Sequence, residues 1–508
     1  MPLAHFHSDD ELIPSSMKFG VPEGKKVFRD FLCPLKEKEV PQSKRVKGIY
    51  MTYSFLRVLR MRRDPEFYSK LVKLAAPMAV QQLLMSSLFI IDTIIVSSLG
   101  DAYIAGVGQA NQISFLMRCS FSAIASGGAV FAAQLWGKNQ DTGGVRRAFT
   151  GSMLFGGIIA FLFFVIAVFF GYPAMHILAK DPRVIEIGRN YLQIAGYAFL
   201  LQVFSAMLSS ILKATGSTRI PMIASISSVF TNIVLDIIMV YGYFGFPRME
   251  ERGAALATVI ASVVDIGIMV MLARKAQAPI SLRKSDFVPL DKVFSRKFIK
   301  IVAPILTKDQ LWSLGVLLYS ITFSYMGTAA IAAFNVFATV GEVMNIFFVA
   351  VGSAGGILIG HLLGASEIEK AKNYSWRLLR LMFLSGIVLC PVLFFGRGLL
   401  LMPFPNLTAE ALDYAGQALL LTSFVIWAKG INFTNMNGIL RAGGDTVAAA
   451  AIDIGSLWGL GVPLTMGAGM LLHLPFRQVF AMTCLEELFK AAVSIWRVSK
   501  YKWARRLV

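Results

Sequence analysis

Long apolar stretches separated by short polar segments make up most of this chain of 508 residues. Twelve of these stretches are long enough to cross a bilayer as helices, which takes about 20 residues each. The predicted spans are 70–98, 104–136, 148–172, 184–212, 218–244, 252–275, 297–325, 330–363, 371–396, 408–440, 446–471 and 475–500. The pattern therefore predicts an all-α integral membrane protein with twelve transmembrane helices.

The first two spans are repeated in the second half of the chain. Residues 70–137 align with residues 297–364 without a gap. The matched positions include Lys70 with Lys297, Lys73 with Lys300, Pro77 with Pro304, Gly100 with Gly327, Gly128 with Gly355 and Gly137 with Gly364. Six spans per half give both halves the same orientation, so we expect two pseudo-symmetric six-helix lobes related by an axis along the membrane normal.

This repeat divides the chain into four predicted parts. They are a basic cytoplasmic tail at 1–66, an N-terminal lobe at 67–275, a cytoplasmic linker at 276–296 and a C-terminal lobe at 297–503. The end of the tail carries four arginines: Arg57, Arg60, Arg62 and Arg63. They favour either an amphipathic segment on anionic lipid or a disordered basic tail that fixes the orientation of the protein in the membrane.

Composition agrees with a membrane protein, and the placement of Lys and Arg explains the net charge of +19. Hydrophobic residues make up 56% of the chain and charged residues 16%, below the quarter that is usual for soluble domains. Most Lys and Arg residues fall in the tails and in alternate loops on one side, including the run from Arg274 to Lys300. The positive-inside rule then places both termini in the cytoplasm and removes the need for a nucleic-acid partner. We expect a multi-pass protein of the plasma (inner) membrane.

Four polar residues inside the predicted spans form the candidate coupling site. Asp92 is the single acid of span 1, and burying a charge at the centre of a membrane helix costs about 2.5–3.5 kcal/mol. Asn232 and Asp236 are four residues apart on one face of span 5, and Thr258 lies near the start of span 6. At about 1.5 Å per residue the two acids lie at the same depth, roughly 12 Å from the outer ends of their spans. Their oxygen atoms suit Na⁺ or a shared proton, although Thr258 is about as well explained by a bond to its own helix backbone.

The other polar residues inside spans are weaker candidates. Arg118 in span 2 is either a counter-ion for Asp92 or a structural partner. Lys308 and Asp309 in span 7, with Glu342 in span 8, are expected to give the second half its own polar cavity. Adjacent helical residues point about 100° apart, so Lys308 and Asp309 need not pair with each other. A last set is given no functional role: Asp453, Glu486 and Glu487 are expected to face solvent, and His361 is interpreted as structural.

Two further sequence features bear on motion and on chemistry. Pro77 lies within the first turns of predicted span 1 and removes a backbone hydrogen bond there, which favours a bend. The four cysteines show no paired spacing, so they predict neither a metal site nor a disulfide framework; they are Cys33, Cys119, Cys390 and Cys484.

Several motifs together resemble the multidrug and toxic compound extrusion (MATE) transporters. They are Ala76-Pro77, Asp92, Leu99-Gly100, Gln134-Leu135-Trp136-Gly137-Lys138, the segment from Lys213 to Arg219 and the matching segment from Arg441 to Thr446. The resemblance covers about 69–503. It implies two six-helix lobes and export of organic cations or other amphiphiles in exchange for Na⁺ or H⁺. It also implies that Asp92, Asn232, Asp236 and Thr258 hold the cation and that helix 1 bends at Pro77.

The expected function is therefore a secondary active antiporter. The alternative is a flippase for a lipid-linked or polysaccharide precursor, which would need a cationic cavity. No catalytic constellation lies within the spans and no nucleotide-binding motif supports a pump, so neither an enzyme nor an ATP-driven pump is predicted. We expect no cofactor beyond the coupling ion, a monomer, a small-molecule substrate and membrane lipid as partners.

Overall fold

Twelve long helices, α1 to α12, form the protein in the computed structural model, which describes residues 64–404 and 407–507. The predicted basic tail at 1–66 thus lies almost wholly outside the described residues. The helices are α1 Pro65–Ser97, α2 Asp101–Gly137, α3 Thr142–Phe169, α4 Pro182–Ala214, α5 Arg219–Tyr241, α6 Glu250–Lys275, α7 Lys292–Tyr325, α8 Thr328–Gly364, α9 Ile368–Leu401, α10 Ala409–Ala442, α11 Thr446–Leu471 and α12 Phe476–Ser499. The prediction of twelve helices in two six-helix lobes is confirmed.

The outer surface of the helices is apolar, as lipid requires. Eleven of the twelve helices in the described part are long and apolar enough to span a membrane. Only α12 falls short, because it carries several charged residues. Exposed side chains on α3 and α9 are large and apolar, among them Leu154, Ile158, Phe161, Ile387, Val388, Val392 and Phe395. A water-facing surface of this kind would be unfavourable, so these faces contact lipid.

The repeat is visible in how the helices begin. Gly100 precedes α2 with a φ of 116°, and its repeat partner Gly327 precedes α8 with a φ of 121°. Side chains with a Cβ rarely adopt such backbone conformations, so glycine is required at both turns. Several other helices begin with an aspartate side chain that accepts backbone N–H groups, as Asp64 does for α1 and Asp291 for α7.

The first parts of α1 and α7 cross into the opposite half. Helix α1 begins and α12 ends on the same side of the membrane, called the inner side below. At this side, residues 67–75 of α1 pack in the core of α8–α10, while residues 298–305 of α7 pack in the core of α2–α6. The far end of α1 returns to its own half through Ile95 and Val96.

The two prolines mark where each helix leaves the opposite core. Pro77 follows the buried residues Leu74 and Ala75, and Pro304 adjoins Ile305. The expectation that Pro77 lies in the first turns of helix 1 was wrong, because α1 begins at Pro65, twelve residues earlier. The helix starts early because Asp64 caps it and Phe67 and Leu71 bury themselves in the second half.

Helices α2 and α8 close the inner side and separate toward the outer side. A Cβ added at Gly137 would lie 2.0 Å from His361 O, and one at Gly364 would lie 1.9 Å from Gln134 O. Farther out, each helix has an exposed face: the α2 face comprises Gly108, Gln112, Phe115, Arg118 and Ser122, and the α8 face comprises Asn335, Thr339, Glu342 and Asn345. Because these two faces are largely polar, unlike the lipid-facing surfaces of α3 and α9, they line a water-accessible cleft between the halves.

Candidate functional site

Asp92 of α1 and Asp236 of α5 meet inside the first half, within hydrogen-bonding reach of each other. The two helices are tied together at two levels, since Gln81 in the middle of α1 donates to Ser225 over 2.8 Å and the hydroxyls of Ser98 and Tyr241 near the helix ends are 2.7 Å apart. Asp236 is 1% exposed, whereas Asp92 is half-buried. Two ionised carboxylates this close would repel strongly, so the pair is suited to a shared proton or a bound cation.

Asn232 lies one helical turn before Asp236 and is also buried. Neither its Nδ2 nor its Oδ1 has a hydrogen-bond partner among the described residues, and the same holds for Oδ1 of Asp92 and Oδ1 of Asp236. Buried polar atoms without partners are costly, and native proteins keep few of them. Three unpaired oxygens from two helices fit a hard monovalent cation, and the two carboxyl groups alone fit a proton.

Thr258 lies in α6, which packs against α5, for example where Ser228 donates to Ala261 O over 2.9 Å. Its hydroxyl donates to Ala254 O over 3.1 Å, so its hydrogen is used within its own helix. The hydroxyl oxygen keeps a lone pair for a cation. The role of Thr258 in the coupling site stays a prediction.

Tyr191 of α4 lies near this site and was not singled out from the sequence. It is buried and lies within electrostatic range of Asp92, Asp236 and Arg118. It lies nine residues after Pro182, at a depth of roughly 14 Å that matches the depth estimated for the acids. The preceding Asn190 makes this a polar pair within a span, and that pair was the available signal.

Arg118 forms no ion pair with Asp92. It is exposed on the α2 face, and the ionisable groups near it are Tyr191 and Cys119. No ion pair joins Arg118 to an acid in the part of the chain that the structure describes. The interpretation of Arg118 as a direct counter-ion for Asp92 is therefore not supported by this structure.

The second half contains a cluster of paired charges, called the paired cluster below. Its members are Lys308, Asp309, Arg441, Asp453, Glu486 and Lys490. Lys308 Nζ lies 2.8 Å from Asp309 and 3.4 Å from Asp453, and Lys490 Nζ lies 2.8 Å from Asp453 and 2.6 Å from Glu486. With three cations and three anions, each charge is compensated inside the helices, as burial requires.

The sequence left open whether Lys308 and Asp309 pair. They do, because the long lysine side chain reaches back to its neighbour although the two Cα–Cβ bonds diverge. The expectation that Asp453 and Glu486 face solvent was wrong; they are 8% and 4% exposed, because lysines on α7 and α12 neutralise them.

Glu342 makes no ion pair with the paired cluster. It is exposed on the α8 face, and no ion pair of the described residues includes it. Its predicted place in a cavity with Lys308 and Asp309 stays a prediction. Glu487, by contrast, is half-buried and accepts a hydrogen bond of 2.8 Å from Asn432 Nδ2.

A cavity of about 500 Å³ lies at the outer end of the first half. Two of the acids that line it already have partners among the other lining residues. Tyr103 donates to Glu250, and Arg248 lies 3.5 Å from the same carboxylate. Asn190 donates to Glu251 over 3.2 Å. These acids are thus already paired with neighbouring side chains.

The chain matches one protein family over most of its length. The family described as MatE matches residues 77–238 and 304–466, which include most of the repeated segments 70–137 and 297–364. Among curated proteins, the chain is 26% identical to the uncharacterized transporter YisQ of Bacillus subtilis over 394 residues, covering 76% of this chain and 83% of YisQ. It is 24% identical to the probable multidrug resistance protein NorM of Thermotoga maritima, covering 90% of this chain and 98% of that protein.

Solved structures show the same fold. A mutant of the MATE transporter VcmN from Vibrio cholerae superposes with a TM-score of 0.77 at 19% identity, covering 86% of this chain and 96% of VcmN. At that identity the likeness concerns the fold alone.

Proposed function

We infer the function of this chain from the family to which it belongs, the MATE family of multidrug efflux transporters, and propose that it is a secondary active antiporter. In this proposal it exports amphiphilic organic compounds, organic cations among them, in exchange for H⁺ or Na⁺ entering the cell. The observation that carries the proposal is the pair of facing carboxyl groups of Asp92 and Asp236, with Asn232 one turn away.

The pair couples the ion to conformation because its two acids lie on different helices. Asp92 is on α1, which contacts both halves and contains Pro77 at the crossing point, whereas Asp236 is on α5, within the first half. Binding a proton or Na⁺ removes the repulsion between the carboxylates and so favours the arrangement that holds them together. A ligand shifts a conformational balance only by its different affinity for the two states, and the distance between these acids supplies that difference.

The close approach of the two carboxyl groups favours a proton as the coupling ion. Two acids within hydrogen-bonding reach share one proton readily, and this needs no further ligand. Sodium remains the alternative, with Asp92, Asn232, Asp236 and Thr258 as its oxygen ligands.

The cleft between α2 and α8 is the proposed substrate path. It is closed at the inner side by the contacts of Gly137 and Gly364 and open toward the outer side. With both termini in the cytoplasm, as the positive-inside rule predicts, this is the outward-open state of a plasma-membrane exporter.

The flippase alternative is less favoured because the cations of the paired cluster are already neutralised. A lipid-linked pyrophosphate would need a cluster of free cations. Lys308, Arg441 and Lys490 each pair with a carboxylate, which leaves them little free charge for a pyrophosphate.

Transport by purified protein in lipid vesicles tests the proposal. Dye export is measured under a pH gradient alone and under a Na⁺ gradient alone, for the wild type and for Asp92→Asn and Asp236→Asn. Each substitution is expected to lower gradient-driven export at least about tenfold, because an amide cannot carry the coupling proton. Asp101→Asn, an exposed acid at the outer start of α2, is the matched control and keeps its export. Unchanged dependence of Asp92→Asn on both gradients would exclude Asp92 as the coupling residue.

A further inference from the structure

The exposed faces of α2 and α8 are equivalent in position but not in charge. In the alignment of 70–137 with 297–364, Arg118 corresponds to Asn345, and Glu342 corresponds to Phe115. All four residues are exposed. The first half thus adds a cation to the cleft and the second half adds an anion, each at a position where the other half is neutral.

These two charges differ from those of the paired cluster because neither has a partner in the described structure. Lys308, Arg441 and Lys490 are each held within 4.0 Å of a carboxylate. An unpaired charge within a membrane span is expensive and marks a functional position by default. Asp309, the acid on α7 that lies near Cys119, is already paired with Lys308 and is not free to neutralise Arg118.

Both charges lie in the open part of the cleft at similar depth. Arg118 is 17 residues from Asp101, or about 26 Å along α2, and Glu342 is 14 residues from Thr328, or about 21 Å along α8. Inward of Ser122 and Asn345, the residues of α2 and α8 are buried or half-buried except Phe347. A ligand entering from the outer side therefore meets both charges before it reaches the closure.

We propose that Arg118 and Glu342 form a dipolar recognition site for zwitterionic substrates, in which Arg118 binds an anionic group and Glu342 binds a cationic group of the same molecule. The guanidinium fork matches a carboxylate with two parallel hydrogen bonds, and the glutamate accepts from a protonated nitrogen. Phe115 lies one turn from Arg118 on the same face and supplies an apolar surface for the ligand body. This assignment rests on the proposed export function and narrows its substrate class.

Three dyes of one scaffold separate the two charges. Rhodamine 110 has a cationic ring system and a free carboxylate, rhodamine 123 is its methyl ester and keeps only the cation, and fluorescein has no cation. Binding to the detergent-purified full chain is measured by fluorescence anisotropy. The wild type is expected to bind rhodamine 110 about tenfold more tightly than rhodamine 123, as a charged hydrogen-bonded pair provides.

The variants assign each charge to its group. Arg118→Gln should lower the affinity for rhodamine 110 about tenfold and leave rhodamine 123 within about twofold, with Arg118→Lys between them. Glu342→Gln should weaken both rhodamines and leave fluorescein unchanged. Asn345→Ala, the repeat partner of Arg118, is the matched control and binds like the wild type. Size-exclusion elution and Tm verify that each variant is folded.

The results distinguish this site from the export function. Equal affinity of the wild type for rhodamine 110 and rhodamine 123, or an equal loss for both dyes in Arg118→Gln, would overturn the dipolar site even if gradient-driven export persists. The expected binding pattern without gradient-driven export of any dye would instead support the site and reject the antiporter.

Discussion

Gln134 of α2 and His361 of α8 occupy the same position in the two repeats and make equivalent contacts to the opposite half. Gln134 Nε2 donates to Ala442 O at the end of α10 over 2.7 Å, and His361 Nε2 donates to Ala214 O at the end of α4 over 2.6 Å. Gln134 Oε1 also accepts from Leu507 N over 2.8 Å. The inner contact of α2 and α8 is thus symmetric in one hydrogen bond from each repeat and in its glycines, and the bond from Leu507 is additional.

Removal of either hydrogen bond should weaken the inner closure. His361→Ala removes one bond of about 1 kcal/mol, which shifts the balance between closed and open inner states about fivefold, and Gln134→Ala removes two bonds, so its shift should be larger. The measurement is maleimide labelling of Ser126→Cys from the inner side, in a chain whose native cysteines are replaced by serine. Ser126 accepts a bond from Arg441 across the halves, so it is shielded while the closure holds. Thr142→Ala, an exposed position on α3, serves as control, and equal labelling rates in all variants would contradict a closing role.

A side chain at the crossing glycines should force the inner ends of α2 and α8 apart. Gly364→Ala places a methyl group 1.9 Å from Gln134 O, where backbone rather than a flexible side chain must yield. Overpacking of this kind costs roughly 1–3 kcal/mol or more, so the closed inner state should become the minor one. Labelling of Ser126→Cys reports the change. Gly267→Ala in α6 has nothing within 4 Å of the new methyl group and should behave like the wild type. A closed, unlabelled Gly364→Ala variant would show that the contact is not tight.

Loss of Asp453 should destabilise the fold. The carboxylate neutralises Lys308 and Lys490 together, and Asp453→Asn leaves both lysines short of a partner inside the helices. Breaking a buried ion pair on one side costs about 3–5 kcal/mol, so the Tm in detergent should fall by several degrees. Asp413→Asn, which removes an exposed acid of α10, should leave the Tm unchanged. Equal Tm values for the two variants would mean that water reaches the paired cluster.

Thr218 should stabilise the fold only while Pro77 is present. Proline has no N–H, so Pro77 leaves Lys73 O without its partner in α1, and Thr218 Oγ1 lies 3.5 Å from that oxygen. Thr218→Val should lower stability by roughly 0.5–1 kcal/mol in the wild type. In a Pro77→Ala background the same change should cost almost nothing, because the new N–H satisfies Lys73 O. A double-mutant cycle of Tm values measures the coupling, and strictly additive changes would rule it out.

The predicted orientation can be tested by labelling intact cells. Cysteines at Asp101 and Lys180, both exposed at outer helix ends, should react with an impermeant reagent from outside. A cysteine at Lys284, exposed in the loop between the halves, should react only after the membrane is opened. The basis is the concentration of Lys and Arg on the Lys284 side. Labelling of Lys284→Cys from outside would reverse the orientation.

The sequence by itself determined the number, order and approximate bounds of the helices. A span of 20 apolar residues has few alternatives to a transmembrane helix, because lipid leaves no other partner for its backbone groups. The aligned prolines and glycines gave the twofold organisation for the same local reason, since each constrains its own backbone. The lone acid of span 1 and the Asn232–Asp236 pair were conspicuous because charge in an apolar span is rare.

Only the tertiary structure decided which polar groups find partners. Three features depend on neighbours far away in sequence. They are the crossing of α1 and α7 into opposite halves, the pairing of Asp453 with Lys308 and Lys490, and the exposure of Arg118 and Glu342. Hydropathy measures the cost of a charge within a span, but the packing of helices determines whether a second charge is there to offset it. Asp453 and Arg118 are both charged residues of apolar helices, and packing alone gives the first two ion-pair partners and leaves the second with none in the described structure.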